Sequence, residues 1–281
     1  KCNVFKKGGY VIMKKTLIIA LLVSFASSMT FAQTIEEREA KVRNWFEVIK
    51  TVEDTQEKTI IADSIQREMI EILYQAEDFD FQFSLDNIGS VVSEDGVIHM
   101  YSWNIPLKDG TSQYYALIQH GEMGTMYTLA QGIPYIPNVT GNLNEMNWYG
   151  GFYYKLINCR YRDKTIYVAL GWIPGDNEET QYKVIDVLTF SKTAIKFGNP
   201  IFKLLTNKRK QSRVLFEYDI NAQMNLDYDK KKKRILFDHL TPIRELKDGT
   251  QIYAPDESVD ALVYKKELWN HVENVKVKNP R

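Results

Sequence analysis

Between residues 34 and 75 the apolar positions recur every three or four residues. Val42, Trp45, Phe46 and Ile49 form one stripe, and Ile61, Ile65, Met69, Ile72 and Leu73 a second. This spacing predicts two amphipathic helices. The block holds no Gly or Pro; Thr51–Thr55 contains the break, with Asp54 placed to cap the second helix and Glu57 three residues on. The expectation is a helical hairpin over 34–75 packed on the remainder of the chain.

After Asp80 the period becomes two. Aromatic and β-branched residues are dense and turn signals recur. Val97–Asn104 and Ser112–His120 read as two arms of a hairpin around Pro106–Gly110, centred near Lys108. Gly124–Gln131 is a further strand, and Gly132–Gly151, with two Pro, four Gly and four Asn, is a long connection or lid. Phe152–Arg162, Thr165–Trp172 and Tyr182–Ser191 form a meander. Later strands are Arg213–Tyr218, Gln223–Tyr228, Arg234–Asp238, Gln251–Ala254, Leu262–Lys265 and Trp269–Val275. Short strands without alternating helices argue against a parallel α/β sheet. The fold class is mainly β: an antiparallel β-sandwich or open-barrel meander with an N-terminal α-helical hairpin. A propeller-like β meander is the alternative, suggested by the Ser93–Gly96 turn. Residues 33–281 read as a single domain, the hairpin 34–75 packed on a β domain 80–281.

The first 32 residues have another character. From Met13 the chain carries Lys14 and Lys15, an apolar run from Leu17 to Phe25, and small residues at Thr30 and Ala32. This is the layout of a secretory signal peptide over 13–32, and the run is shorter than the about 20 residues a membrane span needs. Residues 1–12 read as an upstream extension that is not translated. The expected location is exported: periplasmic, or secreted or cell-surface, in a Gram-negative bacterium, with no transmembrane segment in the mature chain. Residues 1–32 hold five Lys and no acid, so 33–281 carries 31 basic against 36 acidic residues. That balance gives no reason to expect nucleic acid as a partner. Cys159 is then alone, a buried small hydrophobe with no disulfide partner.

The segments Leu170–Trp172, Gly175–Asn177, Lys183–Phe190, Phe197–Phe202, Arg213–Tyr218, Ile235–Pro242, Tyr253–Asp256 and Asp260–Trp269 resemble a group of uncharacterised secreted proteins from Bacteroidetes. Ser102–Gln119 extends the likeness more weakly. The resemblance implies an exported, envelope-associated domain, and carries no activity, cofactor or catalytic residue.

Catalytic motifs are sparse: the chain has no G-x-S-x-G elbow, no S-x-x-K and no H-E-x-x-H. His99 and His120, on the two hairpin arms, are not expected to oppose each other. The acidic stretch Asp176–Glu179 lacks the twelve-residue calcium-loop pattern, and neither metal nor cofactor is expected. Asp238 and His239 are the candidate acid–base pair, although neighbours on a strand point to opposite faces. Lys208–Lys210 and Lys230–Arg234 would make a basic patch if they shared one end of a sheet. The candidate ligand platform is the aromatic set around Gly132–Tyr154, namely Tyr135, Trp148, Tyr149 and Tyr153, because such rings combine an apolar face with a polar handle. The leading expectation is a non-enzymatic accessory that binds a glycan or envelope protein. A hydrolase of polysaccharide or cell-wall polymer and a structural envelope component are the alternatives.

Overall fold

The structure, a computed structural model, describes residues 33–132, 136–175 and 178–277. The expected signal peptide, Tyr135 and the Asp176–Asn177 turn lie outside these residues.

Two helices come first, α1 (Ile35–Thr51) and α2 (Thr55–Gln75). Thr34 and Glu37 cap α1 reciprocally, and Asp54 accepts from the Glu57 N–H at 2.8 Å to start α2. A 17-residue helix is marginal alone in water. Burying Val42, Phe46 and Ile49 of α1 contributes roughly 1.5–3 kcal/mol for each side chain. Both stripes pack on Tyr101, Trp103, Ile105, Tyr115 and Leu117 of the first sheet. Lys58 reinforces the contact by donating to the Pro106 carbonyl at 2.6 Å.

Three antiparallel meanders come next. The first sheet runs β1 (Gly89–Val92), β2 (Ile98–Pro106), β3 (Ser112–His120) and β4 (Thr125–Ala130), in that order. The second contains β5 (Leu143–Asn144), β6 (Phe152–Tyr161), β7 (Lys164–Pro174), β8 (Thr180–Ser191) and β9 (Ala194–Phe197). It is joined by β11 (Val214–Asp219), which pairs with the N-terminal half of β8. The third holds β12 (Leu226–Asp229), β13 (Arg234–Glu245), β14 (Gln251–Lys265) and β15 (Leu268–Val272), with the short β10 (Phe202–Lys203) parallel to β15.

The sheets stack face to face behind the helices. Met100, Ala116 and Ile118 of the first sheet meet Tyr167, Ala169 and Val184 of the second. Ile166, Val168, Leu170 and Val187, on the opposite face of the second sheet, meet Ile235, Phe237, Leu262 and Trp269 of the third. The middle sheet is thus buried on both faces, which is why β7 reads as a nearly continuous apolar run rather than a clean alternation. No helix among the described residues is long and apolar enough to cross a membrane.

Two expected details differ. The β2–β3 turn centres on Asp109, closed by the Leu107 N–H to Thr111 carbonyl bond at 2.8 Å, so His99 faces Gln119 and His120 faces Ile98. Gln251–Lys265 is one strand, not two separated over residues 255–261. Two irregularities absorb the residues that interrupt regular pairing: Asp256, Glu257 and Ser258 of β14 lie opposite the single His239, and Ile243 is an extra residue of β13.

Candidate functional site

Three rings of the expected aromatic platform are not at the surface. Trp148 is 0% exposed, and Tyr149 and Tyr153 are 4% exposed each. They form part of a buried polar knot. The Tyr149 hydroxyl donates to Asp186 Oδ2 at 2.9 Å and lies 2.7 Å from the Tyr153 hydroxyl. Arg213 Nε donates to the same Asp186 oxygen at 3.1 Å, and its Nη1 reaches the carbonyls of Asn138 and, at 2.8 Å, Gly141. Asp186 lies where β8 changes partner, from β9 at Leu188 to β11 at Ile185. The knot fills that discontinuity and ties the 136–151 segment to the sheet. Burial, and then the Asp186 charge, raises the Tyr149 phenol well above its ordinary value. Composition alone placed these rings on the loop surface, whereas core packing takes them inward.

Asp238 and His239 diverge, as adjacent strand residues do. Asp238 accepts from the backbone and side-chain nitrogens of Asn225, at 2.7 and 2.9 Å. His239 turns to a residue the sequence did not single out: its Nδ1 lies 2.8 Å from Asp260 Oδ2. His271 Nε2 approaches the same oxygen at 3.2 Å, and the Asn274 N–H donates to Oδ1 at 3.0 Å. The Asp260 side chain is 2% exposed and that of His239 38%. Burial opposes the Asp260 charge, but the bonds from His239, Asn274 and His271 outweigh it and hold the carboxyl below its usual range. Chiefly through its bond to Asp260, His239 is raised above the ordinary imidazole value. The arrangement presents one oriented imidazole at the rim of the third sheet, and it bolts β13, β14 and the segment after β15 together. Among the described residues no group of three or more His, Cys, Asp or Glu is disposed to hold a metal ion.

The basic runs separate. Lys208–Lys210 comes after β10 and Lys230–Lys233 joins β12 to β13, and these strands are opposite edges of the third sheet. Four strand spacings of about 4.8 Å put those edges roughly 19 Å apart. Glu179 of the acidic loop pairs with Arg244 at 2.6 Å. Cys159 is half-buried against the core, and burial raises its thiol to about 11.

The outer face of the third sheet ends the stack. A groove of about 340 Å³ lies there, lined by Val263, Lys265, Lys266, Leu268, Asn270 and Val272. Val263 and Leu268 are half-buried, while Val272 is 42% exposed. Lys203, in register with Asn270, adds a third cation on this face. The signal was legible only as alternation in β14 and β15, since the register alone decides which set turns outward.

Comparison with protein-family models, with curated proteins and with solved structures gives no match.

Proposed function

We propose that this chain is an exported envelope accessory protein that binds a protein partner through the groove on the outer face of its third sheet. The observation that supports this reading is the pairing of a half-exposed apolar floor, Val263, Leu268 and Val272, with the cations Lys203, Lys265 and Lys266 around it. Apolar side chains flanked by carboxylates complement such a surface. A glycan is the less fitting ligand, because Trp148, Tyr149 and Tyr153, which would stack on sugars, are in the core.

A photo-crosslinking residue at Lys266, compared with one at Lys192 in the exposed β8–β9 turn, tests the reading in envelope extract of the source cells. The expected result is a discrete adduct at 266 that is salt-sensitive and is lost on Leu268→Asp in a variant that keeps its melting temperature. Equal adducts from both positions, or an adduct indifferent to Leu268→Asp, would overturn it.

A further inference from the structure

We propose that Ser90 and His99 form a nucleophile–base pair that accepts acyl groups from carboxylic esters, a site distinct from the groove. Ser90 lies on β1 opposite Tyr101 of β2, and His99 lies opposite Val92, so both side chains project from the helix-facing side of the first sheet. The Ser90 Oγ is 2.7 Å from His99 Nε2. Ser90 is exposed and His99 is 0% exposed.

The other side of the imidazole is fixed as a base requires. His99 Nδ1 lies 3.1 Å from the Phe79 carbonyl and 2.9 Å from the Tyr101 hydroxyl. That hydroxyl donates its own hydrogen to the Phe81 carbonyl at 2.7 Å. Both neighbours of Nδ1 therefore act as acceptors, which assigns the ring proton to Nδ1. The lone pair is left on Nε2, facing the Ser90 O–H. Burial depresses the His99 pKa, opposed by the Phe79 carbonyl and the nearby Asp80 charge, so the ring is neutral at neutral pH. The nucleophile–base–orienter relation is that of activated serines, with a backbone carbonyl as third member.

β1 ends the pairing order of the first sheet, and β6 runs beside it, joined through the parallel Ser93–Leu156 bridge. The Ser93 N–H bonds to the Ile98 carbonyl at 2.8 Å. Antiparallel alternation therefore turns the N–H groups of Val91 and Gly89 inward and that of Ser90 outward. Among the described residues no strand pairs with β1 alongside Ser90. The Ser90 N–H turns to the side on which β6 approaches, where the Glu94 N–H donates to the Leu156 carbonyl at 3.2 Å.

In the acyl transfer, Ser90 Oγ bonds the ester carbonyl carbon while its proton passes to His99 Nε2. The tetrahedral adduct collapses, the bond to the leaving alkoxide breaks, and His99 returns the proton to it. Water attacks the Ser90 ester by the same route, releasing the carboxylic acid and restoring the serine.

Incubation of the purified protein with a fluorophosphonate probe, with peptide mapping of the product, tests the pair. The expected result is a phosphonyl adduct on Ser90, with fluoride lost, absent from Ser90→Ala. His99→Gln should slow labelling by about 10²-fold or more. Because His99 is buried and its variant can fail to fold, the pH dependence of wild-type labelling is the second readout. The rate should climb with pH below about 6.5, the ordinary imidazole value, and level off by neutrality. No adduct on Ser90, a His99→Gln variant that folds and labels at the wild-type rate, or a rate that rises only in alkali as for an unassisted hydroxyl, would each overturn the proposal.

Discussion

Replacing Arg213 by Met removes the cation of the buried knot and leaves the Asp186 carboxylate in place. Both side chains are 0% exposed. In the variant Asp186 keeps the Tyr149 hydroxyl and the Val187 N–H, at 2.9 and 2.7 Å, but loses its counter-charge. The carbonyls of Asn138 and Gly141 lose their donor as well. Removing one partner of a buried ion pair costs about 3–5 kcal/mol, because the other charge stays desolvated. For a domain of this size each kcal/mol lowers the melting temperature by about 2–4 °C, so a fall of about 10 °C is expected by scanning calorimetry. The pH dependence has a definite sign. Without Arg213 the folded state favours protonated Asp186, a folded pKa above the unfolded one. That penalty is absent below the unfolded carboxyl value and grows as pH rises through and above it, so the deficit is smaller at about pH 5 than at about pH 8. The double variant Asp186→Leu with Arg213→Met should recover much of the loss, since a buried ion pair often exchanges for apolar residues at little cost. A melting point within about 2 °C of wild type for Arg213→Met would refute the reasoning, as would a double variant that loses the sum of the single losses.

The same geometry supports three more predictions. Tyr149→Phe deletes a hydroxyl bonded to a buried carboxylate and should cost about 1.5–3 kcal/mol in urea denaturation, less in the Asp186→Leu/Arg213→Met background. A Cβ on Gly132 would sit 1.9 Å from the Met146 carbonyl oxygen, so Gly132→Ala should destabilise by about 1–3 kcal/mol and shift the Glu145–Asn147 turn in a crystal structure. His239 has a folded pKa raised above 6.5, so its bond to Asp260 contributes fully below pH 6.5 and fades as pH rises through the folded value. The melting-point difference between wild type and His239→Gln should therefore shrink from about pH 6 to about pH 9; a difference constant over that range would count against the pairing.

Much of the fold was legible. The helical stripes lie where their period placed them because each helix buries a single face, and one face is what a three–four spacing encodes. The β6–β7–β8 meander was equally plain, since two-residue turns such as Arg162–Asp163 leave few other pairings. The site was less legible. Asp238–His239 drew notice as neighbours in sequence, yet the partner of His239 is Asp260, brought across by the β13–β14 register. Ser90 and His99 belong to no local motif. Their approach needs β1 to pair with β2, and β1 was not among the expected strands. Trp148 and Tyr149 sit in a segment rich in Gly and Asn that reads as loop. Both rings nonetheless turn into the sheets.

Periodicity along the chain was enough to settle the two helices, most of the extended segments, and which side chains of those strands share a face. These depend on spacing and on residues that close turns locally. What each face meets was settled only by packing in three dimensions. Apolar burial is non-directional, so the apolar run of β7 does not say that Tyr167 faces the first sheet and Val168 the third. The polar contacts were settled at that level too, because Tyr149 with Asp186, His239 with Asp260 and Ser90 with His99 meet only after registers and stacking are set. Those distances arise from pairing between strands, which the pattern within any one strand does not carry.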